Sequence, residues 1–366
     1  MRCPSIARLR SQIDALRRQF LQDGSLPLAA VLTVAGIEEA LREIKATWYD
    51  RIYTPLVTLR VFLGRVLNAD QSCRAAVARL VADRASRGLD PCGSGTGAYC
   101  RARGRLPEGF FSAVARLVGR NLDARVDRRW LWKGRRVCLF DGSTVSMPDT
   151  PANRAAYPLA YNQAAGTSFA LARIGAVISL SCGAILDLGV CRYAGKGQGE
   201  VSLLRRLWDV LRPGDVLLGD RLMSGWVGMH LLRERGVDTV SRLSAHRRAD
   251  FRKGTRLGKD DHLVAWRKPT SIRSVDRRTY NALPDSLIVR EARFRVKQPG
   301  FRTRSVVVVT TLLDPGQAAW SFSACHRARY SAPNSSRVAA TRLAIPQVPS
   351  DTSAGRRFED ENEDGM

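Results

Sequence analysis

Acidic side chains, histidines and uninterrupted apolar runs are all scarce in this 366-residue chain. Asp and Glu together number 34 against 59 Lys and Arg, which leaves a formal net charge of +25. Such an excess opposes compaction by self-repulsion and points to a polyanionic partner: DNA, RNA or an anionic membrane. The shortage of apolar runs argues against the membrane. Residues 169–190 are broken by Arg173 and Asp187, and residues 306–313 are too few to cross a bilayer. Residues 1–20 mix Arg8, Arg10, Arg17 and Arg18 among their apolar side chains, so they contain no signal-peptide core. The expectation is a soluble, cytoplasmic and nucleoid-associated protein with no membrane partner.

The four histidines, His230, His246, His262 and His326, are too dispersed for a metal cluster. Eight cysteines form no framework. Cys92 with Cys100 and Cys182 with Cys191 are the only loose pairs, and neither spacing suits zinc. Free thiols are expected. Lys196-Gly197-Gln198-Gly199 lacks the Gly-Lys-Ser/Thr ending of a phosphate loop and reads as a turn.

What is present is enough apolar sequence, 45% of the chain, to build a sizeable core. Residues 1–130 read as helical and basic. Val77, Leu80 and Val81 recur at helical spacing among arginines, and Phe111, Val114, Leu117 and Val118 share one helical face. This composition fits a DNA-gripping module or an ordinary solvated bundle.

The texture changes after residue 130. Val137-Cys138-Leu139-Phe140 is an apolar run that stops at Asp141-Gly142, the pattern of a buried strand ending in a turn. Strand-like runs follow at 169–180 and 184–193, then an amphipathic helix at 200–211 with Leu203, Leu204, Leu207 and Val210 inward. Val216-Leu217-Leu218 forms a fourth strand ending at Gly219-Asp220, and a helix (226–235) and a strand (239–243) complete the series. The order strand, strand, strand, helix, strand, helix, strand predicts an α/β core over 131–245 with a hairpin in front and a crossover behind. Residues 246–304 are polar, arginine-rich and alternating, a β-rich insertion. Residues 305–315 return as a buried strand, and 316–366 lack any sustained pattern and are expected to be disordered.

Two predicted strands thus end in aspartate, Asp141 and Asp220. Neighbouring strand ends would bring the carboxylates close enough to repel, and a hard divalent ion such as Mg²⁺ or Mn²⁺ would relieve that repulsion. A pair of such ions can activate an attacking oxygen and stabilise a leaving one at a phosphodiester. The bland reading is that each aspartate forms a turn or caps a helix.

Asp141-Gly142-Ser143-Thr144-Val145-Ser146-Met147-Pro148-Asp149-Thr150-Pro151, with Asn153 and Tyr157-Pro158, closely resembles the first-aspartate motif of bacterial insertion-sequence DDE transposases, in the group named after insertion sequence four. Gly214-Asp215-Val216-Leu217-Leu218-Gly219-Asp220-Arg221 is similar to the second motif of that group. The likeness extends to Ser72-Cys73-Arg74, to 96–103, to Arg242-Leu243 and to 260–266, so it spans roughly residues 55 to 314. It implies a ribonuclease-H-like catalytic core of α/β class, a helical N-terminal DNA-binding domain and a β-rich insertion. It also implies cut-and-paste transposition, with Asp141 and Asp220 as catalytic metal ligands. The implied partner is double-stranded DNA, both transposon ends and target. A homodimer, or a complex with an intact transposase, would fit such a role.

The resemblance stops short of its third carboxylate. The group places a glutamate on a C-terminal helix, with Tyr seven residues before it, Arg four before it and Lys seven after. Here Leu312-Leu313-Asp314-Pro315 is followed by no glutamate until Glu359, in an acidic tail. Tyr330 meets Pro333 instead of the signature. Glu291 lies in the insertion, and Glu234 is on a helix that points elsewhere. A change of reading frame after Pro315 explains the pattern, and translation of the other two frames checks it. The expected protein is a defective transposase. A DNA-binding remnant that interferes with intact enzyme and a nuclease of the same fold are the alternatives. Arg221, Arg247, Arg248, Arg252, Arg256 and Arg267 are the candidate phosphate contacts, and Trp266 is either a base-stacking ring or a core residue.

Overall fold

The computed structural model describes residues 31–45, 51–159, 168–270, 275–296 and 304–314. The expectations for the first thirty residues and for 316–366, including the search for a third-carboxylate helix, lie outside the described residues.

The N-terminal region is helical, as its periodicity predicts: α1 (Val34–Glu43), α2 (Pro55–Leu67), α3 (Cys73–Ser86), α4 (Thr96–Arg105) and α5 (Glu108–Asp123). Hydroxyl side chains start three of them. Thr33, Thr54 and Ser72 accept bonds from the Gly36, Val57 and Ala75 amides, satisfying donors that a helix start leaves orphaned. One small core gathers Ile37, Leu41, Leu59 and Phe110, and a second gathers Val61, Val77 and Tyr99. Helix α5 ties this region to the sheet. Gly119 packs against the Ile185 carbonyl so closely that an added Cβ would come within 2.1 Å of it.

The sheet has nine strands: β1 (Val137–Ser146), β2 (Leu171–Ser179), β3 (Ile185–Arg192), β4 (Val216–Gly219), β5 (Asp238–Arg242), β6 (Thr255–Gly258), β7 (Asp261–Arg267), β8 (Ser286–Val296) and β9 (Arg304–Thr310). Their order is β3-β2-β1-β4-β5-β9-β8-β7-β6. Strands β1, β4 and β5 run parallel, and every other pairing is antiparallel. Between them lie α6 (Pro151–Ala156), α7 (Glu200–Leu207), α8 (Trp226–Glu234) and α9 (Arg277–Ala282). The molecule is therefore mixed α/β. The predicted order of elements appears as β1, β2, β3, α7, β4, α8, β5. The arginine-rich stretch after β5 extends the same sheet as a meander through β9.

The two faces of the sheet have different cores. Phe140, Val177 and Leu217 meet Leu203, Leu204 and Leu207 of α7, while Val289, Val309 and Trp266 meet Trp226, Val227 and Met229 of α8. Leu139, Leu218, Val240 and Val308 occupy the opposite face. All four residues of β4 are buried, as expected of a central parallel strand covered on both sides.

One expectation is corrected. Strand β1 does not stop in a turn at Asp141-Gly142. It continues to Ser146, because β2 supplies an antiparallel partner from Asp141↔Ala176 to Ser146↔Leu171. Apolar content marks only the part buried against β4. No helix among the described residues is long and apolar enough to cross a membrane.

Candidate functional site at the strand ends

Parallel pairing of β1 with β4 aligns Cys138 with Leu217 and Leu139 with Leu218. The ladder ends there, and Asp141 and Asp220 each follow two residues on, at the same end of these adjacent strands. Side chains alternate across a strand, so both aspartates fall in step with Leu139 and Leu218 and share the face opposite α7 and α8. Both are half-buried. Asp141 sits within a strand, which removes the turn-former reading for that residue. Asp220 does act as a cap: its Oδ1 accepts the Leu222 amide at 2.8 Å and starts the short 3-10 helix Arg221–Ser224.

A third group lies at this end. Strand β5 pairs Ser241 with Gly219, so Arg242 stands next to Asp220 and on the same face as Val240. Asp141, Asp220 and Arg242 thus follow the ends of the β1–β4 and β4–β5 ladders, at the same end of the sheet. Sequence reasoning gave Arg242 no role. The available signal was its position at the end of the third parallel strand.

Glu291 is excluded as a third ligand. It lies on β8 opposite Val309 and His262, on the face that carries Trp266 and α8. Its two oxygens accept Trp266 Nε1 and bond His262 Nε2, each at 2.9 Å, and the residue is 4% exposed. Glu234 is no closer to the aspartates: it lies at the solvent end of α8, 3.0 Å from His230. Glu200, at the start of α7, packs on Gly142 across the sheet from Asp141 and pairs with Arg173 at 2.8 Å. Among the described residues no group of three His, Cys, Asp or Glu side chains is placed to hold a metal ion.

The candidate phosphate contacts divide. Arg221, Arg248 and Arg267 are exposed. Arg252 is exposed but chelated by Asp250 through bonds of 2.8 and 3.2 Å, and Arg256 turns back to the Gly258 carbonyl at 3.1 Å. Arg247 is half-buried and stacks 4.0 Å from the centroid of Trp266. Burial lowers its pKa, with Glu291 opposing. Trp266 is a core residue. The described cysteines are free. Cys138 is buried between the sheet and α7, and burial pushes its thiol up to about 12.

Compared with known proteins, the chain matches no family model and no curated protein.

Proposed function

We propose that this protein is a DNA-binding relative of insertion-sequence DDE transposases, ribonuclease-H-like in its core, which takes transposon-end duplex but lacks the full acidic centre for cutting and joining it. The observation that carries the reading is the parallel β1–β4 register, Leu139 with Leu218, after which each strand runs to an aspartate at the same end of the sheet. An antiparallel β1-β2-β3 unit followed by two parallel strands through helical crossovers supports the core assignment. A net charge of +25 supports a polyanionic partner, and Arg221, Arg248 and Arg267 are exposed to meet it.

The donor set does not fit a two-ion centre. It offers two carboxylates, one of whose oxygens already takes the Leu222 amide, with an arginine rather than a third carboxylate at the end of the next strand. Mg²⁺ or Mn²⁺ bound there would lack the ligands that fix a reacting oxygen, and a misplacement of about 1 Å costs on the order of a hundredfold in rate. No strand-transfer step follows from this arrangement. The protein's action is then occupancy of DNA ends, alone or in mixed complexes with an intact transposase.

The test is a mobility-shift and cleavage assay on end-containing duplex with Mg²⁺ or Mn²⁺. Salt-sensitive binding without nicking is expected, with Asp141→Asn indistinguishable from the parent. Cleavage that Asp141→Asn abolishes would overturn the incomplete centre, and absence of duplex binding would overturn the DNA reading itself.

A further inference from the structure

The basic run between α5 and β1 holds six cations in twelve residues: Arg125, Arg128, Arg129, Lys133, Arg135 and Arg136. They meet different fates. Arg136 is enclosed by Asp123 at 2.7 Å and Asp215 at 2.5 Å. Arg135 bonds the Gly214 carbonyl and Asp238, each at 2.7 Å. Arg125, Arg128 and Lys133 are exposed, and Arg129 is exposed while bonded to Asp127 at 2.7 and 2.8 Å.

In their midst stands Trp130, 58% exposed, although Trp226 and Trp266 in the same chain are 3% and 5% exposed. Local structure holds Trp130 outward. Asp127 caps a single 3-10 turn, Arg128–Trp130: its Oδ1 accepts the Arg129 amide at 2.9 Å and its carbonyl accepts the Trp130 amide at 2.9 Å. A two-residue turn follows, with Lys133 and Gly134 at φ of 49° and 77°, closed by reciprocal bonds between Trp132 and Arg135. Lys133 and Gly134 have the left-handed backbone of a tight hairpin turn. Trp132 folds against the sheet core while Trp130, two residues earlier, faces water. An exposed ring on a capped turn is pre-organised, so a ligand meets little conformational cost.

We infer that Trp130, with Arg128 and the Asp127-paired Arg129 beside it, forms a binding platform for single-stranded nucleic acid, separate from the aspartates at the other end of β1. A ring flanked by guanidinium groups suits an unpaired base stacked on the indole and a backbone phosphate against the cations. A duplex keeps its base faces stacked and presents only phosphates and groove edges. The platform lies at the amino end of β1, whereas Asp141 lies toward the carboxyl end. Four strand residues from Val137, or about 13 Å, separate the two. The inference stands on this geometry and charge, independently of the transposase reading.

The experiment measures the anisotropy of a fluorescent oligothymidine and of a duplex of equal length, bound to the full chain at one fixed salt concentration. Trp130→Ala is expected to weaken oligothymidine binding about tenfold and to change duplex binding by less than about twofold. Trp130→Phe keeps a stacking face and retains most of the affinity. Arg128→Gln lowers the salt dependence of single-strand binding. Thermal melts of the three variants should match the parent, because neither side chain is in the core. Three results would overturn the platform: a parent that does not bind oligothymidine, a Trp130→Ala protein that binds it as the parent does, or equal losses on single strand and duplex. Cleavage and duplex binding test the transposase reading separately, so either can fail without the other.

Discussion

The two ends of β1 and β4 carry the same kinds of side chain arranged to opposite effect. At the amino end, Arg135 and Arg136 are threaded among Asp123, Asp215 and Asp238, with Ser179 bonding Asp123 at 2.8 Å and the Arg212 amide bonding Asp215 at 2.7 Å. Burial alone would depress the Arg136 guanidinium, but its bonds to Asp215 and Asp123 more than offset that, and its pKa is raised. At the carboxyl end, Asp141, Asp220 and Arg242 are half-buried. The Asp220 carboxylate accepts the Leu222 amide and its carbonyl the Met223 amide. The first arrangement joins α5 to the sheet through a closed network. The second lies half-buried at the opposite end of the same strands. Position along one strand therefore separates an enclosed ion-pair network from a pair of half-buried carboxylates.

The largest expected effect comes from opening the closed end. Arg136→Leu leaves Asp123 and Asp215 buried without their cation and should cost about 3–5 kcal/mol in a denaturant melt. A loss below about 1 kcal/mol would mean the network contributes little, and the contrast between the ends would collapse.

A smaller effect is expected at the carboxyl end. Combining Asp141→Asn with Asp220→Asn removes a like-charge pair yet keeps a side-chain oxygen to accept the Leu222 amide. Stability should therefore stay within about 1 kcal/mol of the parent. A drop comparable to that of Arg136→Leu would show that this end, too, is structural.

The smallest effect concerns Asp187, a buried carboxyl on β3 facing Arg116 of α5. Burial raises its pKa, against the opposing Leu188 amide and Arg116. The folded state therefore holds this proton more tightly than the unfolded chain does. That contribution to stability is fully present below the unfolded value and is lost as pH rises through the folded one. Asp187→Asn should raise stability near neutral pH by about 1 kcal/mol or less, and the gain should vanish in acid. A pH-independent difference between the two melts would count against a titrating Asp187.

Much of the fold was legible in the chain. Helical spacing in the described part of the first third, the apolar strand before Asp220, and the helix between β3 and β4 all read correctly, because local periodicity reflects which side faces a core. The extent of β1 did not, since residues 141–146 are polar and owe their extended form to pairing with β2. The role of Trp266 stayed open for a similar reason. A tryptophan among arginines looks alike in sequence whether it stacks on a base or caps Glu291, and Trp130 and Trp266 take opposite courses.

By itself the sequence determined the cationic balance, the α/β order of elements and the two aspartates as a candidate pair. It also determined that no glutamate lies between Glu291 and Glu359. Tertiary structure alone decided that β1, β4 and β5 run parallel, so that Asp141, Asp220 and Arg242 come at the same end of the sheet. It decided as well that Glu291 faces the other way, and which arginines of the run 125–136 are enclosed. Those outcomes depend on strand register and on the alternation of faces across a sheet. A shift of one residue would send every side chain of a strand to the opposite face, and that choice is made by partners distant in the chain.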